Sequence, residues 1–174
     1  MNVPSKFLKA TFDQALENIN LAESKSVSTT PVDTLKSFLN KDQLALFFYG
    51  DNDTGKTHTA CGILNYYSKK VSTLYAKLDN YLTDFAENGY KLPEAYKSSV
   101  ILCIDELGKV MVNSMTIPAI EQLVKFRNEY ELRTIWVTNV ALSVLGDSYG
   151  NTFKTEIEET RGNALRFSVK RKPQ

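Results

Sequence analysis

Lysine, threonine and glycine at fixed spacing are what a polyphosphate requires, and residues 50–57 provide them. Gly50, Asp51, Asn52, Asp53, Thr54, Gly55, Lys56 and Thr57 satisfy the pattern G-x-x-x-x-G-K-[ST]. Small and polar residues let successive backbone N–H groups curl around a phosphate, and a following helix aims its positive end at the same anion. Lys56 has the reach for the β- and γ-phosphates, and the Thr57 hydroxyl suits a Mg2+ position. With His58 adjoining it, this stretch is the expected contact surface for ATP. A second group, Asp105-Glu106, ends the apolar run Val100–Ile104. Asp105 would hold the metal, directly or through water, while Glu106 would polarise the water that attacks the γ-phosphate. Asn139, after Thr134–Thr138, is the third candidate. It either senses the γ-phosphate between the other two motifs or simply ends a strand as a turn residue.

These residues need strands and helices to carry them. Leu44–Tyr49 reads as a buried strand leading into the loop, with a helix from Thr57 to about Lys69. Upstream, Thr11 is a plausible cap for a helix over Phe12–Leu16, residues 21–31 read as a linker, and Thr30-Pro31 opens a helix to about Leu39. Downstream, strands are expected at Val71–Ala76, Val100–Ile104, Thr134–Thr138 and Ala164–Val169. Helices are expected from Leu78 to near Gly89, around Ile117–Arg127 behind Pro118, and over Thr152–Thr160, with Tyr90–Ser99 irregular. Five apolar residues in a row at Val100–Ile104 suit a strand buried on both faces of a parallel sheet. The alternation predicts a three-layer α/β P-loop domain around a mainly parallel five-stranded sheet. Residues 1–43 would form a helical lead-in and residues 44–174 the core.

Composition sets limits on partners. The chain has 174 residues, with 21 basic and 20 acidic side chains and a net charge of +1. Global charge therefore does not draw nucleic acid, and DNA contact would need a local patch. Lys109, Arg166, Lys170, Arg171 and Lys172 are the candidates, against the plain alternative of a solvated tail. Cys61 and Cys103 lie in apolar surroundings and read as core residues of a reducing compartment. No apolar run approaches the roughly 18 residues of a membrane helix, and no signal-peptide core is present, so a cytoplasmic protein without membrane contact is expected.

Several of these stretches together resemble the AAA+ ATPase module of DnaC/DnaI-type replicative helicase loaders and IstB-type transposition helpers. The similarity rests on the opening Val3–Asp13, Gly55-Lys56-Thr57-His58, Ile104-Asp105-Glu106-Leu107-Gly108, and Phe126–Tyr130 followed by Thr134–Asn139. It covers nearly the whole chain and implies ATP hydrolysis assisted by Mg2+, with a replicative helicase and single-stranded DNA as partners. It also implies self-association through a composite ATP site, because AAA+ proteins commonly present an arginine finger where Arg161 stands. Arg161 is either that finger or a surface residue paired with Glu158 or Glu159, and Arg127 either serves a related role or faces solvent. The family often has Gly at the place of Asp53, so that extra negative charge either weakens nucleotide affinity or turns outward. The short lead-in implies a minimal form, without an adaptor domain, of the kind a phage or mobile element would carry. Transposition help, or a nucleotide-gated scaffold with little turnover, are the alternative functions.

Overall fold

Side chains of a strand point alternately to opposite faces, and here that alternation builds two cores on one sheet. Strand β2 (Ala45–Gly50) sends Ala45 and Phe47 to one face and Leu46 and Phe48 to the other. Strand β4 (Ile101–Leu107) divides Leu102 and Ile104 from Ile101 and Cys103 in the same way, and β5 (Arg133–Thr138) divides Trp136 from Ile135 and Val137. The computed structural model describes residues 3–25, 28–159 and 164–168.

The other strands are β1 (Glu23–Ser24), β3 (Thr73–Lys77) and β6 (Ala164–Phe167), and the order across the sheet is β1-β6-β2-β5-β4-β3. Strands β2 to β6 are mutually parallel; β1 pairs antiparallel with β6 at the edge. Among the described residues the sheet therefore has six strands where five were expected. Strand β1 is two polar residues within the expected linker, and its pairing is set by the open edge of β6 and not by any pattern of its own. Val169, the expected end of the last strand, lies outside the described residues.

Helices α1 (Phe12–Asn20), α2 (Pro31–Leu39) and α3 (Lys56–Tyr67) cover one face. Helices α4 (Leu78–Glu87), α5 (Glu94–Ser98), α6 (Thr116–Glu129), α7 (Leu142–Ser148) and α8 (Asn151–Glu159) cover the other. Thr11 caps α1 through a capping box with Gln14, and Thr30 caps α2 with Pro31 in its first turn, as the sequence suggested. Helix α5 occupies a stretch expected to be irregular, and α7 was not foreseen. Cys61 and Cys103 are buried free thiols, and burial pushes the Cys61 thiol up to about 12. Among the described residues, no helix is long and apolar enough to cross a membrane.

Candidate nucleotide site

Parallel strands end on the same side of a sheet, so the C-terminal ends of β2, β4 and β5 bring the three sequence motifs together. They surround a cavity of about 500 Å3 lined by Asn52 to His58, Asp105, Glu106 and Asn139. Gly50 and Asp51 do not line it; their carbonyls accept from Lys56 Nζ. A Cβ on Gly50 would lie 2.0 Å from the Phe167 carbonyl oxygen, so β6 can pass the loop only if residue 50 is glycine. Gly55, with φ +90°, begins α3 without a side-chain cap, which leaves the first N–H groups of that helix open to an anion.

Lys56 is 7% exposed and its amine is fully engaged. Nζ donates to the Gly50 carbonyl at 2.8 Å, to Thr54 Oγ1 at 3.1 Å and to the Asp51 carbonyl. Burial lowers its pKa, against the pull of Asp105, Asp51 and Asp53. These partners occupy the ammonium group, and a phosphate would have to replace them. Asn139 reaches the same loop, donating from Nδ2 to Asn52 Oδ1 at 2.8 Å.

Asp105 is buried and oriented by three donors. Thr57 Oγ1 donates to Oδ2 at 2.8 Å, Tyr75 Oη donates to the same oxygen at 2.7 Å, and the Glu106 N–H donates to Oδ1 at 2.7 Å. Burial and the adjacent carboxylate raise the Tyr75 pKa, so it stays a donor. With its hydrogen on Asp105, the Thr57 hydroxyl keeps its oxygen lone pairs for a cation. Mg2+ is commonly bound by few protein oxygens alongside phosphates and water, and the Thr57–Asp105 pair fits that chemistry.

Glu106 reaches the cavity because the strand is irregular. The β4–β5 register shifts between Ile104, opposite Trp136, and Leu107, opposite Thr138, which inserts one extra residue in β4. Glu106 takes φ +62° there, and the bulge brings two consecutive carboxylates to one cavity. Its Oε1 accepts from Lys77 Nζ at 3.1 Å and Lys109 Nζ at 3.3 Å. Although burial acts the other way, these two ammonium groups hold its pKa below the usual carboxylate range.

Structures of known proteins share this architecture. A DnaA replication initiator bound to AMPPCP and single-stranded DNA superposes with a TM-score of 0.73 at 19% identity, over 97% of this chain and 52% of that one. The DnaC helicase loader gives 0.71 at 19% identity, over 95% and 100% of the two chains. DnaI gives 0.68 at 18%, over 97% and 96%. The chain has the AAA+ P-loop fold. It spans about half the length of the DnaA structure and nearly all of the other two. No protein-family model matches the sequence, and no curated protein gives a significant match.

Not every candidate residue reaches this cavity. Arg127 is neither a finger nor solvent-facing: it is 1% exposed, and its guanidinium donates to Thr134 Oγ1 and to the carbonyls of Tyr96, Ser99 and Arg133. Buried within α6, it does not line the cavity. Arg161 lies outside the described residues, as do Lys170, Arg171 and Lys172. Of the remaining basic candidates, Lys109 lines the cavity and Arg166 pairs with Glu23 at 3.8 Å. His58 packs its ring edge-on against Phe7. Sequence reasoning missed Tyr75 and Lys77, which reach the cavity because β3 lies beside β4 with Lys77 opposite Asp105. Pro4, Lys6 and Phe7 also line it, brought over by the turn before α1.

Proposed function

We propose that this protein binds ATP with Mg2+ and hydrolyses it, as an accessory ATPase of DNA replication of the helicase-loading kind. The observation that carries the chemistry is the single cavity holding Lys56, Thr57, Asp105, Glu106 and Asn139. Lys56 binds the β- and γ-phosphates in place of its loop carbonyls. Thr57 and Asp105 hold Mg2+, which neutralises phosphate charge when bound. Asn139 turns from Asn52 towards the γ-phosphate or the attacking water. Glu106 orients that water and takes its proton as the oxygen–phosphorus bond forms. The bond from the γ-phosphorus to the bridging oxygen breaks, leaving ADP and inorganic phosphate, and the proton passes to solvent.

The replication role draws its support from the shared fold with DnaC and DnaA, and a replicative helicase and single-stranded DNA are the partners it suggests. A scaffold with little turnover is the second reading, favoured by the two lysines that occupy Glu106. Calorimetry and phosphate release separate these. Lys56→Ala should abolish ATP binding in a folded protein, and unchanged affinity would remove the phosphate-loop assignment. Glu106→Gln should bind ATP and lose at least about 100-fold in rate, within the range of general-base contributions. A wild-type protein that binds ATP but turns over no faster than Glu106→Gln, even with single-stranded DNA and a purified replicative helicase, is a scaffold.

A further inference from the structure

One carboxylate needs one cation, yet Glu106 Oε1 receives two, from Lys77 at 3.1 Å and Lys109 at 3.3 Å. The two lysines are held differently. Lys77 ends β3, and its backbone pairs with Asp105, so the sheet fixes the base of its side chain, which is 41% exposed. Lys109 stands in the turn after β4, behind Gly108 at φ +88°, with a side chain 50% exposed. Its flexible four-carbon stem leaves the ammonium free to move. Both lysines line the cavity that contains Lys56 and Thr57. After burial and the nearby carboxylates, the charge of Lys109 also contributes to the shifted pKa of Lys56, so the two amines share one electrostatic neighbourhood.

We propose that Lys109 moves from Glu106 to the terminal phosphate of bound ATP, supplying from within the chain a cation that reads the γ-phosphate. This rests on the reading of the cavity as an ATP site. A terminal phosphate carries close to two negative charges and three acceptor oxygens, so it outcompetes one carboxylate for a mobile ammonium. Lys109 makes and breaks no covalent bond; it exchanges one charge-assisted hydrogen bond for another. The exchange leaves Glu106 held by Lys77 alone, with acceptor capacity restored for water. ADP ends one phosphate short, so with ADP bound Lys109 stays on Glu106. Lys109 therefore distinguishes triphosphate from diphosphate and prepares the base in the same movement.

The test compares AMPPCP and ADP affinities by calorimetry in the presence of Mg2+, for wild type, Lys109→Ala and Lys109→Arg. Thermal melts confirm that the half-exposed position tolerates both changes. Lys109→Ala should weaken AMPPCP about tenfold, as expected for a charge-assisted hydrogen bond, and change ADP by less than about twofold. Lys109→Arg should retain most of the discrimination. Equal losses for both nucleotides, or an unchanged AMPPCP affinity, overturn the role of Lys109 while leaving the ATP site intact. A folded wild-type protein that binds neither nucleotide overturns the ATP reading itself, and this inference with it.

Discussion

Asp53 lies in the left-handed region at φ +57°, where a side chain costs energy and glycine does not. Asp and Asn tolerate that conformation better than most residues, which explains how a carboxylate can occupy a turn built for Gly. Its charge does reach the site: it lines the cavity and, after Asp105 and Asp51, helps to oppose the lowering of the Lys56 pKa. Asp53→Asn keeps the backbone and removes only the charge. ATP affinity should then rise about threefold to tenfold at low salt, with the gain shrinking as salt screens it. Calorimetric titration at two ionic strengths checks this, and an unchanged affinity would mean that the carboxylate turns away from the phosphates.

At the scale of elements, helix α6 is tied to its neighbours by two buried ionisable groups that do not line the cavity. Arg127 joins α6 to the α5–β4 junction and to β5 by four hydrogen bonds, with no carboxylate among the acceptors. Burial pulls its pKa down to about 9, so it remains charged at neutral pH. Arg127→Ala leaves those oxygens unpaired around a void and should cost on the order of 3 kcal/mol, measured by chemical denaturation, with ATP affinity unchanged in the folded protein. Glu156 of α8 is buried and accepts from Asn128 of α6 at 2.7 Å. Burial raises its pKa, so the folded state favours the protonated form, and stability falls as pH rises through and above the ordinary carboxylate range. Glu156→Gln should raise the melting temperature at pH 8 and lose that advantage near pH 4; an equal shift at both values would exclude a cost of ionisation. These ties show where sequence reading stops. The runs at β2 and β4 and the Gly-Lys-Thr start of α3 carry local patterns, so the sheet centre and the strand–loop–helix unit from β2 to α3 were legible. Helix α7 had Leu142 and Leu145 at helical spacing, but its short length and Gly146 masked the signal. Tyr75, Lys77 and the buried Arg127 depend on which strands lie side by side, and no spacing along the chain encodes that.

For the molecule as a whole, the near-balance of charge leaves little general attraction for DNA, and two basic candidates are already occupied near Glu106 and Glu23. Any single-stranded DNA contact should therefore be weak alone and strengthen only when several copies line up. The same assembly is where Arg161 would act. A finger works in trans, so the rate per protein should rise with concentration, while the part supported by Lys109 within one chain persists on dilution. Fingers contribute roughly 10³ to 10⁵ in rate in well-studied systems, so loss of the concentration-dependent part should be plain. Arg161→Ala should remove that part and keep ATP binding. Mixing Arg161→Ala with Lys56→Ala gives the sharper measurement, because each lacks a different half of a shared site. A mixed interface can pair an intact loop with an intact arginine, so phosphate release should recover to a fraction of the wild-type rate set by the mixing ratio. No recovery at any ratio, with wild-type activity independent of concentration, would leave each chain working alone and Arg161 without a catalytic role.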